Sequence, residues 1–352
     1  MKSYDNFSLY DADGWINIPA IASFPGIWLV VIVGARQVGK TFGTMHHLLD
    51  AGNPFIYQRR TIDELELIES DDSLNPFIPM EMFGYKIDIF KSGKLWQIRE
   101  YDTEDDKVKL GTWRGIAPPL SHLAKIRGFN GSVYTDMFYD EFIPETGVVI
   151  RHAEGDSVLN AYTTVSGNRE LLGKPPLKLW LMANSNNIKN PVMEAFELIP
   201  MFEKLIRSQK EWMIKDGVFA AYPRSQKIIE QRKKTALMSW LSDKSRFKKM
   251  ALYNEFAYNN LELVNPKSLN GLVPYISIGR MHFYRTKDKT HYYCSLTPHK
   301  KNPKFGTSDS DRMHVMNEHL GIRLMYDAGY MSFDSVEALL LYREFFDIKD
   351  CK

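Results

Sequence analysis

The sequence predicts an α/β fold with a mainly parallel sheet, and three observations predict it. Ile27 to Val33 is a continuous apolar run rich in β-branched residues, as expected of a central strand covered on both faces. Directly behind it, Gly34-Ala35-Arg36-Gln37-Val38-Gly39-Lys40-Thr41 has the spacing of a phosphate-binding loop. From there to about Pro223, strand-like and helix-like patterns alternate.

Each element follows from its residues. After the loop, Phe42, Met45, Leu48 and Leu49 recur at helical spacing until Gly52, a C-terminal stop. Phe55 to Gln58 is the next strand, ending in Arg59 and Arg60. Tyr85 to Phe90, Leu95 to Glu100 and Val108 to Trp113 are short strands separated by turn-rich or charged segments, read as an antiparallel excursion or edge. Val133 to Tyr139 and Leu177 to Ala183 are further strands, the second running into the polar stretch Asn184 to Asn187. Around Arg224 to Met250 two basic clusters, Gln231-Arg232-Lys233-Lys234 and Lys244-Ser245-Arg246-Phe247-Lys248-Lys249, lie on helical-looking segments and mark a linker subdomain. Val273 to Arg285 and His291 to Leu296 predict a hairpin around Lys287-Asp288-Lys289, and helical patterns follow at Val315 to Asp327 and Ser335 to Phe346. The expected organisation is therefore an ATPase-like domain over 1–223, a helical linker over 224–258 and a small α+β domain over 259–352.

Composition bounds the function. The 352 residues hold 45 Lys plus Arg against 43 Asp plus Glu, so contact with nucleic acid has to come from local patches rather than from net charge. Two cysteines, Cys294 and Cys351, have no metal-ligand spacing and are too few for a disulfide scaffold, which favours a reducing cytoplasm. The nine histidines form no cluster at ligand spacing: His46 and His47 point to different faces of one helix, and His282 and His291 face each other across the hairpin. No apolar stretch at the N-terminus or elsewhere has the length of a signal or membrane segment, so no membrane association is expected.

The chemistry-bearing residues gather around the loop. Gly34 to Thr41 would cradle a polyphosphate on backbone N–H groups, with Lys40 reaching the β- and γ-phosphates and Thr41 offering its hydroxyl to Mg²⁺. At ordinary residue usage a chain of this length meets the pattern by chance about once in a hundred times. The preceding strand and following helix lower that further. Hydrolysis of a nucleoside triphosphate also needs a carboxylate on the metal and a group to orient or deprotonate the attacking water. Met137-Phe138-Tyr139-Asp140-Glu141 supplies Asp140 for the first role and Glu141 for the second, at a strand C-terminus where α/β sheets bind ligands. Asn184 ends the next strand, either as a γ-phosphate sensor or as a turn residue. Arg127, Arg169 and Arg36 are the candidates to neutralise charge on the transferred phosphoryl group, a role often filled by a neighbouring subunit.

Taken together, Arg36-Gln37 in the loop, Arg127-Gly128 ahead of Asp140-Glu141, and the Asn184 segment resemble the ATPase motor of viral large terminases. The closer similarity is to the genome-packaging ATPases of phi-29-like small podophages. It lies in Gly34-Ala35-Arg36 through Gly39-Lys40, Ile56-Tyr57 with Arg59-Arg60, Asp140-Glu141-Phe142-Ile143, Asn168-Arg169-Glu170, and Asn184 leading to Asn190-Pro191. Arg232 to Thr235 and Gly329-Tyr330-Met331-Ser332-Phe333-Asp334 are similar too, although only the ATPase motifs are specific. The resemblance implies an ASCE-type phosphate-loop domain working with ATP and Mg²⁺. It also implies a ring of identical subunits, a pentamer, docked at the portal vertex of a procapsid in the host cytoplasm and driving double-stranded DNA inward. Whether a structural RNA assists that docking, the sequence leaves open. The C-terminal domain would be RNase H-like without nuclease activity. One departure is Gly167, where the family has an arginine two residues before the position matched by Arg169, so Arg169 and Arg127 stay rivals for the finger.

The residues argue independently about cleavage. Two-metal hydrolysis of DNA needs three or four converging carboxylates, and the acids after Phe256 fall in expected turns or helices, none interrupting an apolar strand. His299, Lys300, Lys301 and Lys304, with the linker clusters, are candidates to hold DNA phosphates without reading bases. Two other functions use the same loop: a small-molecule kinase, and a nucleotide-switched DNA- or capsid-binding protein without motor activity. A water-activating Glu141 would waste ATP in the kinase.

Overall fold

The structure, a computed structural model, describes residues 7–93, 95–104, 107–123, 129–144, 153–185, 190–254, 263–299 and 302–348. The chain divides into two compact units, Met1–Ala257 and Tyr258–Lys352. The helical segment that the sequence marks as a linker falls in the first.

The first unit is built on a nine-stranded sheet: β1 (Leu29–Gly34), β2 (Phe55–Gln58), β3 (Ile87–Ser92), β4 (Leu95–Glu104), β5 (Lys107–Ala117), β6 (Asp136–Asp140), β7 (Lys178–Asn184), β8 (Trp212–Lys215) and β9 (Val218–Ala221), in the spatial order β3-β4-β5-β2-β6-β7-β1-β9-β8. The six strands from β5 to β9 run parallel, and antiparallel strands close both edges: β3 and β4 on one side, β8 on the other. The mainly parallel sheet is as the sequence predicts, and the β3–β5 excursion forms one of its edges. One additional strand, β7, separates the loop strand β1 from the acidic strand β6.

Burial explains why these runs are strands. Every residue of β1 and β2 is buried. Val30, Ile32, Tyr57, Phe138, Trp180 and Met182 share one apolar cluster with Met45, Leu48 and Leu49 of helix Lys40–Asp50. The alternating residues Val31, Met137, Leu179 and Leu181 lie outside that cluster and are equally buried, so both faces are covered. Phe42 departs from the expected apolar stripe. It is 38% exposed, with its ring 5.4 Å from that of Phe83. At Gly115 β5 approaches β2 so closely that a Cβ would lie 1.9 Å from the Phe55 carbonyl oxygen, and its φ of +152° suits glycine alone.

The second unit carries β10 (Val273–Ile278), β11 (Met281–Arg285), β12 (Tyr292–Ser295), β13 (Lys304–Phe305) and β14 (Met331–Phe333), ordered β13-β10-β11-β12-β14. The stretch expected as one strand, Val273 to Arg285, folds back on itself at Gly279, whose φ is +52°. His282 and His291 do not face each other. His282 pairs in register with Ser295 and bonds the Ser277 hydroxyl, whereas His291 bonds Ser332. The helix expected from Val315 to Asp327 is two helices, Asp309–Glu318 and Gly321–Asp327. A Ser308/Asp311 capping box starts the first earlier, and His319 leaves helical geometry at φ −130°. Cys294 is a buried free thiol, and Cys351 lies outside the described residues. Among the described residues no helix is long and apolar enough to cross a membrane.

Candidate active site

The loop leaves β1 at Gly34 and enters helix Lys40–Asp50 through Gly39, the N-cap, at φ +88°, a left-handed conformation open to glycine. The N-terminal segment braces it: Ile16 N donates to Val38 O at 3.2 Å, and the Trp15 ring lies where a Cβ on Gly39 would come within 3.4 Å. Lys40 folds back into the loop. Its Nζ donates to Ala35 O (2.7 Å), Gly34 O (3.1 Å) and Asn184 Oδ1 (3.1 Å). Asn184 thereby joins the site, carried there by the parallel register that pairs Gly34 with it. Burial holds the Lys40 ammonium down to about 7, with Arg36 and Arg232 pressing the same way against Asp140 and Glu141.

The acidic pair stands opposite. Thr41 Oγ1 donates to Asp140 Oδ1 at 2.9 Å, and burial pushes the Asp140 carboxyl up to about 6. Glu141 has left the strand, at φ +53°, with its side chain about half exposed. Arg59 ties the two acids together: its Nη2 lies 2.8 Å from Glu141 Oε2, its Nη1 3.5 Å from Asp140 Oδ2 and its Nε 3.1 Å from Glu64 Oε2. The sequence marks Arg59 as a strand end and as part of the family resemblance, and assigns it no role in the site. The signal that could have found it is positional, since β2 and β6 run parallel in adjacent places with Gln58 beside Tyr139.

These groups line one cavity of about 640 Å³, walled by Arg36 to Phe42, Asp140, Glu141, Ala183 and Asn184, and closed by Arg232, Thr235, Leu237, Met238 and Phe247 of the helical segment. The structure thus brings together Gly39, Val38, Gln37, Arg36, Lys40, Thr41, Asp140, Glu141 and Asn184 as the sequence grouped them, with Gly34 and Ala35 behind as acceptors for Lys40. It does not bring Arg169 there. That residue is buried, and its Nη1 donates to Tyr134 O at 2.9 Å. Arg127 lies outside the described residues. Arg232, which the sequence marks as part of a basic cluster and of the family resemblance, stands in the cavity wall.

The donor set can be tested against a nucleotide. Among the described residues Lys40 is a buried ammonium bonded to neutral oxygens, and Arg36 and Arg232 line the same cavity, so cationic groups gather on that side. Thr41 and Asp140 offer hard oxygen donors beside it. A polyphosphate with a hard divalent cation fits both halves.

Residues 15–276 match the podovirus DNA encapsidation protein (Gp16) family. The chain belongs to this family. The family's work is encapsidation of podovirus DNA. Two solved structures share the fold over nearly the whole chain. The bacteriophage phi-29 viral genome packaging motor assembly is 17% identical with a TM-score of 0.63, covering 95% of this chain and 99% of that one. The phi-28 gp11 DNA packaging motor is 16% identical with a TM-score of 0.55, covering 97% and 99%. No curated protein matches the chain.

Proposed function

We propose that the chain is the ATP-hydrolysing subunit of a homo-oligomeric ring, a pentamer, that moves double-stranded DNA through the portal of a procapsid in the host cytoplasm. The observation that carries this reading is the joining of Thr41 to Asp140 and of Lys40 to Asn184 in one cavity, in a chain of the encapsidation family. When bound, a magnesium–ATP complex supplies the phosphoryl electrophile and the Lewis acid. Thr41 and Asp140 would hold the cation, and Lys40 and Arg36 would neutralise the phosphate charge. Asn184 orients Lys40. Glu141 would take the proton of the attacking water, for which its carboxylate must first part from Arg59.

Finer parts of the reading have their own support. Residues 224–258 act as a linker, a reading supported by Ile228 of helix Gln226–Lys233, which packs in the first unit's apolar cluster, and by Asn254, which donates to Val33 O. The RNase H-like descent of residues 259–352 is supported by the β10–β12 meander with a parallel strand at each edge. Lack of cleavage is supported by the engagement of Asp334, which accepts from Ser295 Oγ and Leu296 N. Among the described linker lysines, Lys233 pairs with Glu230 and Lys248 with Asp243, which leaves Lys234 and Lys244 as the phosphate-facing candidates. Lys300 and Lys301 lie outside the described residues. A finger must extend to a neighbour, so Arg169, with its guanidinium committed to Tyr134 O, is the weaker rival to Arg127.

Measuring ATP turnover with and without double-stranded DNA tests the motor. Stimulation by DNA is expected, and phosphate passed to a small acceptor with no response to DNA would sink it. Glu141→Gln should keep nucleotide binding and lose about two orders of magnitude of turnover, whereas Lys40→Ala should lose both. Mixing wild-type with Arg127→Ala or Arg169→Ala subunits identifies the finger, because only a residue acting across the interface depresses its neighbours' sites.

A further inference from the structure

Three cations line the loop cavity, and only two of them belong to the loop. The third, Arg232, comes from the last turn of helix Gln226–Lys233. Its Nη1 donates to Arg36 O within the loop and to Ala251 O in the last turn of helix Arg246–Tyr253. Both acceptors are backbone carbonyls, so they fix the position of the guanidinium without neutralising it. Among the described residues no carboxylate pairs with Arg232, and its Nε and Nη2 bond no protein group. Burial first, and then the neighbouring Arg36, lower its hold on its proton, as expected of a cation awaiting an anion. A guanidinium anchored through one nitrogen still presents a planar pair of donors, the shape that phosphate oxygens accept.

A second contact separates placement from binding. Asn254, fully buried at φ +57°, donates through Nδ2 to Val33 O (3.1 Å) and Pro223 O (2.9 Å). It fastens the same helical segment to β1 but lies outside the cavity wall.

We propose that Arg232 is a phosphate-contacting arginine supplied in cis by the helical segment, gripping the phosphate tail of the nucleotide while its bond to Arg36 O couples the loop to that segment. The inference rests on the nucleotide reading above.

The test compares full-length wild type, Arg232→Ala, Arg232→Lys, Asn254→Ala and Lys40→Ala for binding of a fluorescent non-hydrolysable ATP analogue. Arg232→Ala should weaken binding by about tenfold or more, as loss of a charge-assisted pair does, with Arg232→Lys recovering part. Millimolar guanidinium, too dilute to denature, should restore affinity to Arg232→Ala. Asn254→Ala should keep affinity within about threefold even where its thermal midpoint falls, since it leaves the guanidinium in place. Unchanged affinity in Arg232→Ala, or an equal loss in Asn254→Ala, overturns the proposal. If Lys40→Ala still loses binding in that case, the nucleotide reading stands. A wild-type chain that binds no analogue overturns both.

Discussion

Arg59 is the residue on which Asp140 and Glu141 both lean. Asp140 is a buried carboxylate, and Arg59 and Lys40 are the cations that offset it. Replacing Arg59 with leucine should therefore cost about 3 kcal/mol of stability near neutral pH, the lower end for breaking a buried pair. The sign with pH follows from Asp140, whose carboxyl titrates at about 6 in the folded chain, above its ordinary value. The Arg59 contribution is present while Asp140 is ionised and fades as pH falls through 6. Urea unfolding of wild type and Arg59→Leu at pH 8 and pH 5 checks this. A gap no smaller at pH 5 would contradict the assigned pairing. The loop, the acids and Asn184 were legible in the sequence because each sits in a motif or at a strand end. Arg59 and Arg232 were not, since their roles arise from register and from a helix folding back, which no local pattern encodes.

Elements were legible in kind and less so in extent. The strands β1, β2, β6 and β7 announce themselves as apolar runs, because burial on both faces leaves little room for polar residues. Splits were missed where a single backbone feature acts, as at Gly279 and His319. Close approach of two helices is equally silent. Helix Glu154–Ser166 and helix Pro191–Ala195 meet at Gly155, where a Cβ would lie 2.2 Å from Pro191 O and 2.6 Å from Ala195 Cβ. One helix follows the Glu141 turn in sequence and the other follows Asn184, so forcing them apart disturbs both ends of the site. Gly155→Ala is expected to cost about 2–3 kcal/mol as overpacking, lowering the thermal midpoint by several degrees and depressing turnover. A midpoint within about one degree of wild type would show that the helices can separate without strain.

For the whole molecule, a net charge of only +2 over 352 residues places function in local patches, and the cavity proposed for the nucleotide lies in one of the two units. Each unit has its own apolar core: one is formed around β1, helix Lys40–Asp50 and the N-terminal segment, and the other around Ile276, Phe283, Phe333 and Tyr342. All residues walling the cavity lie between Arg36 and Phe247, within the first unit. Asn254, which fastens the helical segment to β1, also lies there. A chain ending at Ala257 should therefore fold cooperatively and bind the ATP analogue within about threefold of the full chain, since no contact to the nucleotide would be lost. Its turnover without DNA should persist in the same measure. Calorimetric melting and titration with the analogue test this together. A shortened chain that melts cooperatively yet binds more than tenfold more weakly would mean that residues beyond 257 reach the site, which would then not belong to the first unit alone.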